Sequence, residues 1–153
     1  MAKETQPSDL GKHLGYWLRF VSNHVSYAFK AKVEAKGVTV AEWVAMRELF
    51  SLGECNPSRL ADRMAMTRGA ISKLVDRLAK KKLVTRTAAS GDGRFQTIDL
   101  TPAGRKLVPV LARLADENDA EYFGHLTKPQ QGELVDRLKE LVDRHGWKNV
   151  PTE

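Results

Sequence analysis

The chain has 153 residues, 42% of them hydrophobic and 29% charged, with 25 Lys and Arg against 19 Asp and Glu for a net charge of +6. That length allows one domain, or two small lobes sharing a core, and no apolar run approaches the roughly eighteen residues that a membrane-spanning helix needs. The start, MAKETQPSDL, lacks the apolar stretch of a secretory signal, and a single cysteine excludes an intrachain disulfide, so a soluble protein in the reducing cytoplasm is expected.

Ser8 is placed to cap a first helix with apolar positions Leu10, Leu14, Trp17, Leu18, Val21, Val25, Ala28, Phe29 and Val33, ended by Gly37. At 1.5 Å per residue it would run on the order of 40 Å, longer than so small a domain needs for its own packing, so part of it is expected to pack on a second subunit. Thr39 and Glu42 form a capping box for a second helix with Trp43, Met46, Leu49 and Phe50 as its stripe. Asn56 followed by Pro57 opens a short third helix with Leu60, Ala61 and Met64 inward. Thr67 caps a fourth, whose Ile71, Leu74, Val75 and Leu78 share one face, opposite Arg68, Gly69, Ser72, Lys73, Asp76, Arg77 and Lys80.

From Leu83 the helical period stops. LVTRT and FQTIDL are rich in β-branched residues and flank the Gly-containing turn AASGDGR, the pattern of a β-hairpin. Thr101 and Pro102 start a helix with Leu107, Val110, Leu111 and Leu114 inward, and Thr127 with Gln130 caps a last one carrying Leu134, Leu138, Leu141 and Val142. The fold class is therefore mainly α with a small β-hairpin wing. A winged helix-turn-helix lobe at 39–100 is set between helical segments 8–36 and 102–146, within one domain spanning 1–153.

The charge is localised. Residues 57–86 hold nine basic groups against Asp62 and Asp76, a net of +7, whereas the other 123 residues hold sixteen basic and seventeen acidic groups, a net of −1. Such concentration points to a polyanion. Two short helices joined by the tight MAMTRG turn, with a hairpin directly behind, form a winged helix-turn-helix whose second helix fits the DNA major groove. Arg68 and Lys73 can donate to guanine O6 and N7; Thr67 and Ser72 can bond phosphates or bases; Gly69 admits close backbone approach. Arg77 and Lys80 lie further along, where phosphates are the targets, and Arg94 at the hairpin tip can enter a narrow minor groove. A winged helix serving protein association is the rival reading, and it leaves the +7 segment, which includes Arg86, without a purpose.

The stretches TVAEWVAMREL, PSRLADRMAMTRGAISKLVDRLAKKKLVTR and GDGRFQTIDLTPAGRKL resemble the MarR family of winged-helix transcriptional regulators over almost the whole chain. The most specific match is D-x-R followed by L-T-x-x-G, at Asp92, Arg94, Leu100, Thr101 and Gly104. The resemblance implies that Asp92 steadies the wing while Arg94 enters the minor groove; Gly93 stands between them where many members carry a second basic residue. It also implies a homodimer, with helices 8–36 and 102–146 building the interface. The partner would be a pseudo-palindromic double-stranded operator, released or reshaped by a small aromatic or phenolic effector. Within the region where the family binds ligands, Tyr16, Trp17, Phe20, Trp43, His13, His24 and Arg47 are the candidates, although aromatics at helical spacing are more often core.

Other chemistries find little support. His13 and His24 are about 16 Å apart along a helix, too far to share a metal. Cys55 lies just before the third helix, whereas the peroxide-sensing relatives that the resemblance brings in carry theirs at the start of the first, so an unreactive Cys55 is expected over a redox sensor. Asp116, Glu117, Asp119 and Glu121 read as a solvated helix face. No phosphate loop, nucleophile elbow or H-E-x-x-H is present, so no enzyme and no cofactor are expected.

Overall fold

The computed structural model describes residues 7–88 and 96–148. Its order is a 3-10 turn at Leu10–Lys12, α1 (Leu14–Glu34), α2 (Val40–Leu52), α3 (Pro57–Met64), α4 (Arg68–Lys80), β1 (Val84–Ala88), β2 (Gln96–Leu100), α5 (Pro102–Phe123) and α6 (Lys128–His145).

Local chemistry sets most of these boundaries. Thr39 Oγ1 accepts from the Glu42 amide at 3.1 Å and Glu42 Oε2 accepts from the Thr39 amide at 2.9 Å, the capping box in full. Asn56, Thr67 and Thr101 cap α3, α4 and α5 through their side-chain oxygens, and Thr127 with Gln130 repeats the box at α6. The first helix starts later than its sequence implies. Neither Ser8 nor Asp9 supplies a capping bond; the chain makes the 3-10 turn, extends at His13, and the Trp17 indole donates to the Gly11 carbonyl at 2.8 Å. At 21 residues α1 is about 32 Å long, not 40 Å.

One core binds the middle of the chain. Val33 from α1, Ala45, Met46 and Leu49 from α2, Leu60 and Ala61 from α3, Ile71, Leu74, Val75 and Leu78 from α4, and Ile98 and Leu100 from β2 are all buried, closed by Val108 and Leu111 of α5. The α4 face is the one expected. That of α5 is turned by one residue: Gly104, Val108, Leu111 and Asn118 are buried, with Leu107, Val110 and Leu114 only half-buried. The turn follows from Gly104, which must face Leu83. On α2, Ala45 joins Met46 and Leu49 inside, whereas Phe50 is exposed. In the hairpin β1 and β2 are antiparallel with Val84 opposite Leu100, and Cys55 adds a short third rung by exchanging backbone bonds with Ile98 at 2.8 and 3.1 Å.

Asn118 ties α5 to α1: its Nδ2 donates to the Val25 carbonyl at 3.2 Å and its Oδ1 accepts from Lys32, which also pairs with Glu121. Glu121 makes this contact while staying exposed with Asp116, Glu117 and Asp119, the solvated acidic face expected of them. Helix α6 is different in kind. Nothing on it is buried, and Leu134, Val135, Leu138, Leu141 and Val142, four of which form the apolar stripe read from the sequence, are 41–46% exposed. The apolar residues of α1 share this condition, from Leu14, Trp17 and Leu18 through Val21 to Tyr27. No described helix is long and apolar enough to cross a membrane.

Candidate nucleic-acid interface

The turn between α3 and α4 is three residues long. Ala65 takes the left-handed conformation, φ +52°, which ends α3, and Thr67 Oγ1 accepts from the Ala70 amide to begin α4. Because Ile71, Leu74, Val75 and Leu78 are fully buried, the position of α4 about its own axis is fixed and its other face must meet solvent. That face carries Thr67, Arg68, Gly69, Ser72, Lys73, Arg77 and Lys80, all exposed. A Cβ built on Gly69 would have nothing within 4 Å, so no packing within the chain asks for glycine there.

The nine cations of the basic segment divide into two sets. Arg63 pairs with Glu48 at 2.8 Å, Lys81 and Arg77 face Glu42 at 2.7 and 3.4 Å, and Arg86 meets Asp76 at 2.5 Å while donating to the Ser72 carbonyl. Among the described residues Arg59, Arg68, Lys73, Lys80 and Lys82 have no carboxylate partner. Since Glu42 and Glu48 come from α2, folding neutralises part of the segment's +7 and leaves the remainder mainly along the exposed side of α4 and its C-terminal end. Arg86 sits on β1 and bridges back to α4, whereas Arg77 keeps over half of its side chain exposed. Asp92, Gly93 and Arg94 lie outside the described residues.

Glu42 was legible only as a cap. It is fully buried, and its carboxylate joins the start of α2 to the end of α4 across 39 residues of sequence, a pairing no local pattern encodes. Burial pushes its pKa up, but the hydrogen bonds from Lys81 and the Thr39 amide and the charges of Lys81 and Arg77 outweigh it and hold the group below the usual carboxylate range. Burial likewise pushes the Cys55 thiol up, aided by Asp99 and opposed by Arg59, so the thiolate is disfavoured.

A groove of about 1180 Å³ runs between α1 and the corner where α5 meets α6. Of the candidate ligand residues, Trp17, Phe20 and His24 line it, with the Phe20 and His24 rings 4.7 Å apart; Tyr16 meets Trp17 edge to face at 5.2 Å. His13, Trp43 and Arg47 are not brought to it. His13 stands at the start of α1 without a side-chain capping bond, Trp43 packs against the core, and Arg47 donates to Ser51 at 2.6 Å. Tyr122, Phe123, His125 and Leu126 form the opposite wall. Sequence reasoning missed them because it sought ligand residues on the first two helices, and only the fold brings the end of α5 opposite α1.

Two helices at a tight turn, the second presenting unpaired cations, with a hairpin behind them, define a winged helix-turn-helix protein. The particular kind follows from its relatives. A sequence model of the MarR family matches residues 36–94, and over that stretch the chain is similar to the family. A transcriptional repressor of the helix-turn-helix type from Mycobacterium tuberculosis is 29% identical over 128 residues, covering 84% of this chain and 92% of that one. A probable transcriptional regulator from Pseudomonas aeruginosa has the same fold, with TM-score 0.74 at 28% identity over 87% of this chain and 99% of that chain. BpsR of Bordetella bronchiseptica, whose DNA binding is regulated by 6-hydroxynicotinic acid, matches with TM-score 0.75 at 23% identity over 90% and 99% of the two chains.

Proposed function

We propose that this chain is a homodimeric transcriptional repressor that binds pseudo-palindromic double-stranded DNA and is controlled by a small aromatic or phenolic effector. The observation that carries the DNA-binding reading is the rotation of α4: its apolar face is wholly consumed by the core, and Arg68, Lys73 and Lys80 point away with no carboxylate to neutralise them among the described residues. In this reading Thr67, Arg68, Gly69, Ser72 and Lys73 at the start of α4 meet base edges and neighbouring phosphates, Arg77, Lys80 and Arg86 serve the backbone, and Arg94, steadied by Asp92, enters the minor groove. The exposed leucines and valines of α6 and the apolar length of α1 support the dimer. A two-fold axis would then set two α4 helices roughly 34 Å apart, one turn of B-DNA.

Apolar walls with two imidazoles, His24 and His125, suit the groove to a flat aromatic molecule carrying one or two polar groups. An effector there lowers DNA affinity by the amount it prefers another α4 separation. The test is selection of duplexes from a random pool, followed by affinity measurement against salt. A palindromic consensus bound far more tightly than random duplex supports the reading; no preference at moderate salt sinks it and favours protein association. Titrating phenols and aromatic carboxylates while following Trp17 fluorescence and release of the selected duplex tests the effector.

A further inference from the structure

Lys81 ends α4, and its backbone is fixed there: its amide bonds the Arg77 carbonyl at 3.1 Å, and Lys82 follows in the left-handed region at φ +59°. Its ammonium, like the Arg77 guanidinium, turns back toward Glu42. It donates to the Gly37 carbonyl at 2.8 Å and to Glu42 Oε2 at 2.7 Å. Gly37 is the elbow by which α1 turns into α2, held at φ +82°, and Glu42 belongs to the cap that starts α2. One lysine therefore ties the bend between the long first helix and the DNA-binding lobe to the start of α2, from the C-terminal end of α4. A charged hydrogen bond to a fully buried carboxylate is costly to open, because the carboxylate cannot recover water.

We infer that Lys81 is a positioning residue for DNA recognition, which with Glu42 and the Gly37 carbonyl fixes the angle between α1 and α4 and makes no contact with DNA. The inference rests on the dimeric DNA-binding reading above. In such a dimer α1 is anchored to the subunit interface, so its angle to α4 sets the separation of the two recognition helices. Releasing the clamp leaves each lobe able to read its half-site but lets the separation vary.

The experiment compares the wild-type protein with Lys81→Met, Glu42→Gln and the double variant. Glu42→Gln keeps an acceptor at the third helical position, so the capping box and the fold survive even if Lys81→Met unfolds the lobe. Binding is measured on the selected palindrome, on the same palindrome with one base pair inserted between its halves, and on a single half-site. The expected result is a roughly tenfold loss on the native palindrome, an ordinary coupling factor. The preference over the inserted site should fall by a similar factor, half-site affinity should stay within about twofold, and the salt slope should be unchanged. Equal losses on all three duplexes, or a shallower salt slope, would make Lys81 a stabiliser of the lobe or a phosphate contact and overturn the inference, as would variants that bind like wild type. Wild-type protein with no preference between the two spacings would instead overturn the dimeric reading beneath it.

Discussion

The carbonyl oxygen of Leu83 lies 2.2 Å from where a Cβ on Gly104 would stand, so the entry to β1 and the first turn of α5 touch through a gap only glycine leaves. Thr101 locks the same junction, its amide bonding the Leu83 carbonyl at 3.0 Å and its hydroxyl the Lys82 carbonyl at 2.8 Å. Gly104→Ala is expected to destabilise the protein by at least about 2 kcal/mol, a drop of several degrees in Tm, since backbone rather than a flexible side chain must yield. Gly69→Ala reverses the signs. With open space around it, alanine should raise stability by up to about 1 kcal/mol while weakening DNA binding wherever the backbone approaches the duplex. Thermal melts beside binding isotherms check both.

Arg68 and Lys80 lie at opposite ends of one exposed face and should fail in different ways. Arg68→Ala is expected to cost about 1–3 kcal/mol on the selected sequence and to relax base preference at one position of each half-site. Lys80→Ala should weaken all duplexes alike and lower the salt slope by about 1 per subunit. Competition binding against single-base variants of the palindrome, repeated at three salt concentrations, separates the two.

What the sequence carried well was what is local. The caps at Thr39, Asn56, Thr67, Thr101 and Thr127 each depend on residues three apart, and the buried stripe of α4 depends on spacings of three and four, so both are written in short windows. The start of α1 was misplaced because a serine at the right spacing was present but unused, the Trp17 indole having closed the preceding turn instead. The stripe of α5 slipped because the contact that decides it, Leu83 against Gly104, spans 21 residues and is absent from any short window. The stripe of α6 was legible as a stripe, but apolar periodicity marks a face that seeks burial and says nothing of whether the burial lies within the chain. For the site, the cationic face of α4 was plain, whereas the Glu42 pairing with Lys81, and with it the neutralised share of the charge, required the fold.

Glu42 gives the protein an acid-sensitive joint. Its pKa is depressed in the folded state, so the unfolded chain binds the proton first as pH falls. The stabilisation is complete at neutral pH and is lost as pH drops below the usual carboxylate range, through the group's lower folded value. Urea denaturation from pH 7 to pH 3 should show stability falling along this limb. Glu42→Gln, which cannot titrate, should start less stable at pH 7 and lose less on acidification; parallel curves would remove Glu42 from the account.

Cys55 should be chemically silent in the native protein. It is buried, its backbone completes the third rung of the hairpin sheet, and its thiol is pushed away from the thiolate. A thiol reagent at pH 7.5 is expected to label it only after unfolding, and hydrogen peroxide should leave DNA affinity unchanged. Rapid labelling of folded protein, or oxidant-dependent release of DNA that Cys55→Ser abolishes, would restore the redox-sensor reading.

The exposed stripe of α6 makes the strongest demand on a partner. Leu134 and Leu138 also line the groove against α1, so a second copy laid on this surface would cover apolar residues of both helices. Each of these side chains is already more than half covered, so closing the rest contributes on the order of 1 kcal/mol, which across five positions on each subunit is comparable to the dimer's loss of rotational and translational freedom. Deleting the residues after Thr127 is therefore expected to give a monomer. Leu138→Glu, which sets a charge in the stripe and leaves the core of the lobe untouched, should do the same at micromolar concentration with little change in helix content. Sedimentation equilibrium reads the state, and binding to the palindrome should fall to the half-site level with it. A folded monomer that still bound the full palindrome tightly would show that two lobes need no α6 contact to act together.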